Sequence, residues 1–124
     1  MSSPESLVDR YVAVWNEPDA ERRRRAIASL WVEDGAHFTP SLEARGYEAL
    51  EARITSAHDR LVRGQGYAFS PRNVTGHHGT VKFNWEMRPA TGGPIAAYGF
   101  DFFVLAEDGR IRCDYQFPEP TPPA

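Results

Sequence analysis

Cysteine is almost missing: Cys113 stands alone, so no internal disulfide can form and packing must hold the fold. A lone thiol also suits a reducing compartment. No apolar run approaches membrane-spanning length, and Met1 to Glu5 lack the basic start and apolar stretch of a secretion signal. The expectation is a cytoplasmic protein with no membrane partner. Basic charge is not in excess either. With 14 Lys and Arg against 17 Asp and Glu the net charge is −3, which argues against a nucleic-acid partner. There is no glycine-rich phosphate loop and no serine-nucleophile motif, so no nucleotide cofactor, or any other, is expected. His77 and His78 are adjacent in a glycine-flanked turn. Neighbours on a strand point to opposite faces, and no Cys or further His has ligand spacing, so no metal site is expected.

What is present is ordinary for a folded domain: 124 residues, 41% hydrophobic and 25% charged, enough for one core and too few for a second module. No repeat or internal boundary interrupts residues 1–117, which read as a single domain followed by a Pro-rich tail, 118–124, expected to be extended or disordered.

The first half reads as helices and the second as strands. Ser3-Pro4 opens a helix in which Leu7, Val8, Tyr11, Val12, Val14 and Trp15 recur at helical spacing until Asn16 to Pro18. Asp19 caps a second helix carrying Ile27, Leu30 and Trp31, predicted to end near Glu33-Asp-Gly35. Its run Arg22 to Arg25 wraps most of a turn and reads as a solvated surface. Ala36 to Thr39 is a short strand ended by Pro40. A third helix runs from Gly46 to Gly64, with His58 at the border of its apolar stripe.

After Gly66 the period changes to two. Strands are predicted over Tyr67 to Asn73, Val81 to Met87, Ile95 to Leu105 and Ile111 to Phe117, joined by turns at Gly76–Gly79, Pro89–Pro94 and Glu107–Gly109. Val81, Phe83, Trp85 and Met87 should face inward, and Lys82, Asn84 and Glu86 outward. On the last strand Ile111, Cys113, Tyr115 and Phe117 form the alternating apolar set. The outward positions then carry few apolar residues.

One residue conflicts with its setting. Asp101 interrupts the most apolar stretch of the chain, and a carboxyl there must reach solvent, meet a partner, or stay neutral in an apolar hollow. The third case would make it a hydrogen-bond donor at neutral pH.

The succession Arg10-Tyr-Val-Ala-Val-Trp-Asn16, Leu30-Trp-Val-Glu-Asp-Gly-Ala36, Arg45-Gly-Tyr-Glu-Ala-Leu50 and Asp108-Gly-Arg-Ile111 resembles the NTF2-like superfamily. Within it the SnoaL-like polyketide cyclase relatives and the ketosteroid isomerases are most similar, over roughly residues 6 to 117. The resemblance implies an α+β, cone-shaped barrel: three N-terminal helices on a strongly curved, mainly antiparallel sheet, open to a small apolar molecule and paired as a homodimer. The isomerase resemblance places Tyr11 and Asp101 as donors to a substrate oxygen. At the position of the isomerases' carboxylate base stands Thr39, whose hydroxyl cannot act as a base at pH 7. His37, two residues earlier on the same strand face, is the substitute candidate.

The candidate catalytic set is therefore Tyr11, Asp101 and His37. Trp15, Thr39, Phe83, Trp85, Phe103 and Tyr115 form the expected ligand-contact set, and proton transfer beside a carbonyl of a cyclic polyketide- or steroid-like molecule is the expected chemistry. The alternative is a binding module, or a dimeric accessory domain whose hollow is filled by its own aromatics.

Overall fold

The structure, a computed structural model, describes residues 3–121. Helix α1 (Pro4–Asn16) starts where the Ser3 hydroxyl accepts from the Ser6 amide, with Pro4 in the first turn where no amide is needed. Helix α2 (Ala20–Leu30) starts on the Asp19 carboxylate, which accepts from the Arg22 amide at 2.9 Å. It ends sooner than its apolar spacing suggests. Trp31 already belongs to strand β1 (Trp31–Thr39), opposite Ile111, while the Tyr47 hydroxyl takes up the Trp31 carbonyl at 2.9 Å. The aromatic and β-branched pair Trp31-Val32 suits a strand, and tertiary pairing decides the boundary. Gly35 is needed within β1, since a Cβ there would lie 2.7 Å from the Trp31 indole.

Strand β2 (Leu42–Arg45) has no clear signal in the sequence; it is a short edge hairpin to β1, tied by the Thr39 hydroxyl accepting from the Ser41 and Leu42 amides. Helix α3 (Tyr47–Ala57) continues as a π-helical turn over His58–Arg63. Then come β3 (Tyr67–His77), β4 (Thr80–Pro89), β5 (Ala97–Leu105) and β6 (Ile111–Glu119).

The sheet order is β2-β1-β6-β5-β4-β3, antiparallel except for the β1–β6 pair. It is therefore mixed and not closed, with three helices packed against it. β3 is longer than predicted and includes Pro71, which an edge strand tolerates because its outer side needs no donor. Pro118 is likewise accepted in β6: pairing with β1 stops at Tyr115, leaving one side of the later residues unpaired. The tail thus begins later than expected, and its residues 122–124 lie outside the described residues.

The core lies between sheet and helices, where Leu7, Val8, Ile27, Leu50, Ile54 and Ile111 are almost fully buried. Asn16 ties α1 to β3 through both the amide and the carbonyl of Phe69. Two polar residues expected at the surface are buried. Glu86, on the outer sheet face, is enclosed by Arg72 and Arg88 at 3.1 Å each, and Arg23 turns inward to the Glu17 carbonyl. His58, expected at a border, is buried with Nδ1 2.9 Å from the Trp15 carbonyl.

The last strand overturns the predicted parity. Val104 pairs with Cys113 but Leu105 pairs with Ile111, so Arg112 is an extra residue in β6. Such a bulge moves the inward set by one position. Asp114 and Gln116 face the helices, and Cys113, Tyr115 and Phe117 face away. The outer face therefore gains stacked aromatic pairs, Phe100 with Phe117 at 4.7 Å and Phe38 with Tyr115 at 5.1 Å, contrary to the expectation of an apolar-poor surface.

Candidate active site

The bulge brings a second acid under Tyr11. On α1, Tyr11 belongs to the buried face and points at the sheet. Its hydroxyl lies 3.0 Å from Oδ2 of Asp101 and 2.5 Å from Oδ2 of Asp114. On β1, the register sets His37 beside Asp114, with Nδ1 2.7 Å from the same Oδ2. From α3, Arg53 extends Nε to 3.5 Å from His37 Nε2 and Nη2 to 3.2 Å from the Gln116 side-chain oxygen. Tyr11, His37, Asp101 and Asp114 all lie within the buried set.

Electrostatics decide where the protons sit. Burial and the neighbouring Asp114 charge push the Asp101 pKa well above the carboxylate range, favouring its neutral acid. Burial also raises Asp114, to about 6, while hydrogen bonds from Asp101 and Tyr11 and the Arg53 charge oppose the rise. The pair therefore shares one negative charge, held mainly on Asp114. Burial depresses His37 to about 4, against an opposing pull from Asp101 and with Arg53 contributing, so the imidazole is neutral. Its contact with Asp114 is then a hydrogen bond from Nδ1–H to a carboxylate rather than an ion pair, and Nε2 is the acceptor facing Arg53. Burial and the two acids raise Tyr11 well above the usual phenol range, which keeps its proton in place.

A cavity of about 320 Å³ opens beside this network. Tyr11, Trp15, Phe83, Trp85 and Asp101 form part of its wall; Phe69 and Met87 add apolar surface, and Arg53, Arg60 and Gln116 add polar groups. Gly99 makes room for the Trp85 indole, whose ring would stand 2.6 Å from a Cβ there.

Four sequence-selected residues lie elsewhere. Phe103 packs fully buried behind the Tyr11 ring, centroids 4.8 Å apart, and His37 sits behind the wall at 1% exposure. Thr39 holds the β1–β2 turn, and Tyr115 faces the opposite side of the sheet. Sequence reasoning missed Asp114, Arg53 and Gln116. Nothing in the pattern announced the bulge that turns Asp114 and Gln116 inward. Arg53 adjoins Ile54 of the apolar stripe, a border position that could have been read as facing the hollow.

His37, Asp101 and Asp114 bring ligand-type atoms within 4.8 Å of one another. The Tyr11 hydroxyl already sits between the two carboxyls, and His37 spends Nδ1 on Asp114, so hydrogen bonding accounts for their approach. Chemically the arrangement can hold a neutral carboxyl at the edge of an apolar cavity, with its Oδ2 fixed by the Tyr11 hydroxyl.

No curated protein sequence matches the chain. Among solved structures, a candidate isomerase of the SnoaL-like family from Agrobacterium tumefaciens superposes with a TM-score of 0.86 and 28% identity, covering 97% of this chain and 100% of that one. An NTF2-like protein of unknown function from Exiguobacterium gives 0.71 at 19% identity, with 93% and 99% covered. A candidate polyketide cyclase from Sinorhizobium meliloti gives 0.68 at 13% identity, with 90% and 94% covered. The α+β fold is thus NTF2-like, and with residues 8–113 matching the SnoaL-like domain, the chain belongs to the SnoaL-like family.

Proposed function

We propose that the cavity binds a planar cyclic carbonyl compound of polyketide- or steroid-like type, and that Asp101 moves a proton between its oxygen and a neighbouring carbon. The observation that carries this reading is a carboxyl held neutral by burial and by Asp114, on the wall of an aromatic cavity, with Oδ1 free of any hydrogen-bond partner. Unpartnered buried oxygens are costly, and with the acid proton on Oδ1 this one would be satisfied by donating to a ligand carbonyl oxygen.

The step balances with one acid. Asp101 gives its proton to the carbonyl oxygen, the resulting carboxylate removes a proton from the adjacent carbon, and the products are an enol and a neutral Asp101. Return of a proton to a different carbon yields the isomer. Tyr11 and Asp114 are positioning residues: they hold Oδ2 and set which carboxyl carries the proton. His37 acts through Asp114 and supplies the neutral end of the chain.

A second reading, binding without turnover, is favoured by a specific observation: neither Thr39 nor His37 reaches the cavity wall, so among the described residues no carboxylate or imidazole besides Asp101 lines it. Exchange of the α-hydrogens of 2-tetralone in D2O, followed by proton NMR, separates the two. Turnover predicts exchange above the buffer rate that drops by about two to three orders of magnitude in Asp101→Asn, the scale of losing one such group. Exchange equal in both proteins would leave only binding.

The stacked aromatic face of the sheet supports a homodimer, and the unpaired thiol of Cys113 suits a cytoplasmic setting.

A further inference from the structure

Two guanidinium groups at the cavity have no direct ion pair, although the Asp114 charge acts on Arg53 from across His37. Arg53 and Arg60 both contribute to its wall, and among the described residues neither lies within ion-pair distance of a carboxylate. The remaining arginine of the same helical segment differs: Arg63, one turn on, has Asp59 at 3.6 Å. Among the described residues the only acid on the wall is Asp101, which is held neutral, so the lining carries two positive charges and no negative one.

Arg53 is placed rather than loose. Its guanidinium lies over the Trp15 ring, 5.3 Å from the centroid, and is fixed by Gln116 and His37 on the sheet side. Burial lowers its pKa, and the Arg60 charge lowers it too while Tyr11, Asp101 and Asp114 pull the other way, so the two cations repel across an apolar opening. A cation kept in such a place without a direct counter-ion is costly, and a planar guanidinium matches a carboxylate through two parallel hydrogen bonds.

Resting on the reading above, we propose that the ligand is an acid: a fused-ring carbonyl compound whose carboxylate is held by Arg53 and Arg60 while its carbonyl oxygen meets Asp101. The two groups would then fix both ends of a flat molecule between Trp15, Phe83 and Trp85. That arrangement sets orientation as well as affinity, because a neutral analogue could enter either way round.

The test compares 2-naphthol with 6-hydroxy-2-naphthoic acid, two phenols of one ring system that differ by a carboxylate. Titration calorimetry on the purified chain should give at least about tenfold tighter binding of the acid, the scale of one charge-assisted hydrogen bond. Raising NaCl from 20 to 500 mM should narrow the ratio, Arg60 being exposed. In Arg53→Gln and in Arg60→Gln, each checked for folding by circular dichroism, the ratio should fall toward one. Equal affinities in the wild type, no acid binding at millimolar concentration, or a preference that survives both substitutions would each overturn the proposal. Asp101→Asn separates it from the reading on which it rests. Weakened naphthol binding without any preference for the acid sinks the anion site alone, whereas an arginine-dependent preference indifferent to Asp101→Asn sinks the proton-transfer role alone.

Discussion

The Tyr11 hydroxyl stands 2.5 Å from Asp114 and 3.0 Å from Asp101, one phenolic proton between two buried carboxyls. Tyr11→Phe keeps the ring, which packs against Trp31, Phe83 and Phe103, and removes only the oxygen. Asp114 would then lose a donor it cannot replace from solvent. Urea unfolding at pH 7 should show a loss of roughly 1–3 kcal/mol, the usual cost of leaving a buried acceptor unmade. Unchanged stability would mean that the hydroxyl is not bonded to either acid in solution.

His37 and Asp114 respond to pH in opposite directions. His37 falls from 6.5 to about 4 on folding, so the unfolded chain binds more protons in that window and this contribution to stability is lost as pH falls through it. Asp114 rises from 3.8 to about 6, so the folded chain binds more protons and this contribution is lost as pH rises through the same window. Each is on the order of 3 kcal/mol, and they largely offset. The stability deficit of His37→Gln relative to wild type should therefore grow between pH 4 and 6.5, while that of Asp114→Asn should shrink. Denaturant midpoints at half-unit pH steps read both slopes; parallel profiles for the three proteins would show that the two groups do not titrate as their burial dictates.

How much of this was legible in the chain depends on which force fixed each residue. The helix starts at Ser3 and Asp19 and the alternation of β4 are local signals, and they appear where the residues place them. Asp101 stood out because one charge in an apolar run has few explanations. Asp114 did not, because Cys113, Tyr115 and Phe117 gave β6 a believable inward set. That set packs the outer face instead, after an extra residue at Arg112 that costs the sequence no visible mark. The end of α2 was misread for a related reason: Trp31 fits a helical stripe as well as a strand, and the pairing with Ile111 that decides between them is eighty residues away along the chain.

Gly99 shapes the cavity through what it lacks. A Cβ at this position would lie 2.6 Å from the Trp85 ring and 2.5 Å from the Phe117 carbonyl, so even alanine must displace the indole or part the β5–β6 pair. The indole is a cavity wall, and pushing it inward takes space from the ligand. Gly99→Ala should cost about 1–3 kcal/mol in stability, the range for overpacking, and weaken 2-naphthol binding. Both are read from urea titration and fluorescence on one sample. Full naphthol affinity in the variant would show that Trp85 does not border the bound ring.

The outer face of the sheet offers the last expectation. Phe117 is 46% exposed and stacks on Phe100, and Tyr115, 37% exposed, stacks on Phe38, so the aromatics form an apolar surface rather than scattered points. A symmetric dimer through this face would use each residue twice. Replacing Phe117 with Glu removes about 2 kcal/mol of burial from each copy, about 4 kcal/mol per dimer, which is close to a thousandfold in dissociation constant. Sedimentation equilibrium at micromolar concentration should find a dimer for the wild type and a monomer for Phe117→Glu. Because Phe117 faces away from Tyr11 and Asp101, the monomeric variant should keep its circular dichroism spectrum, and a dimer that survives the added charge would place the interface elsewhere.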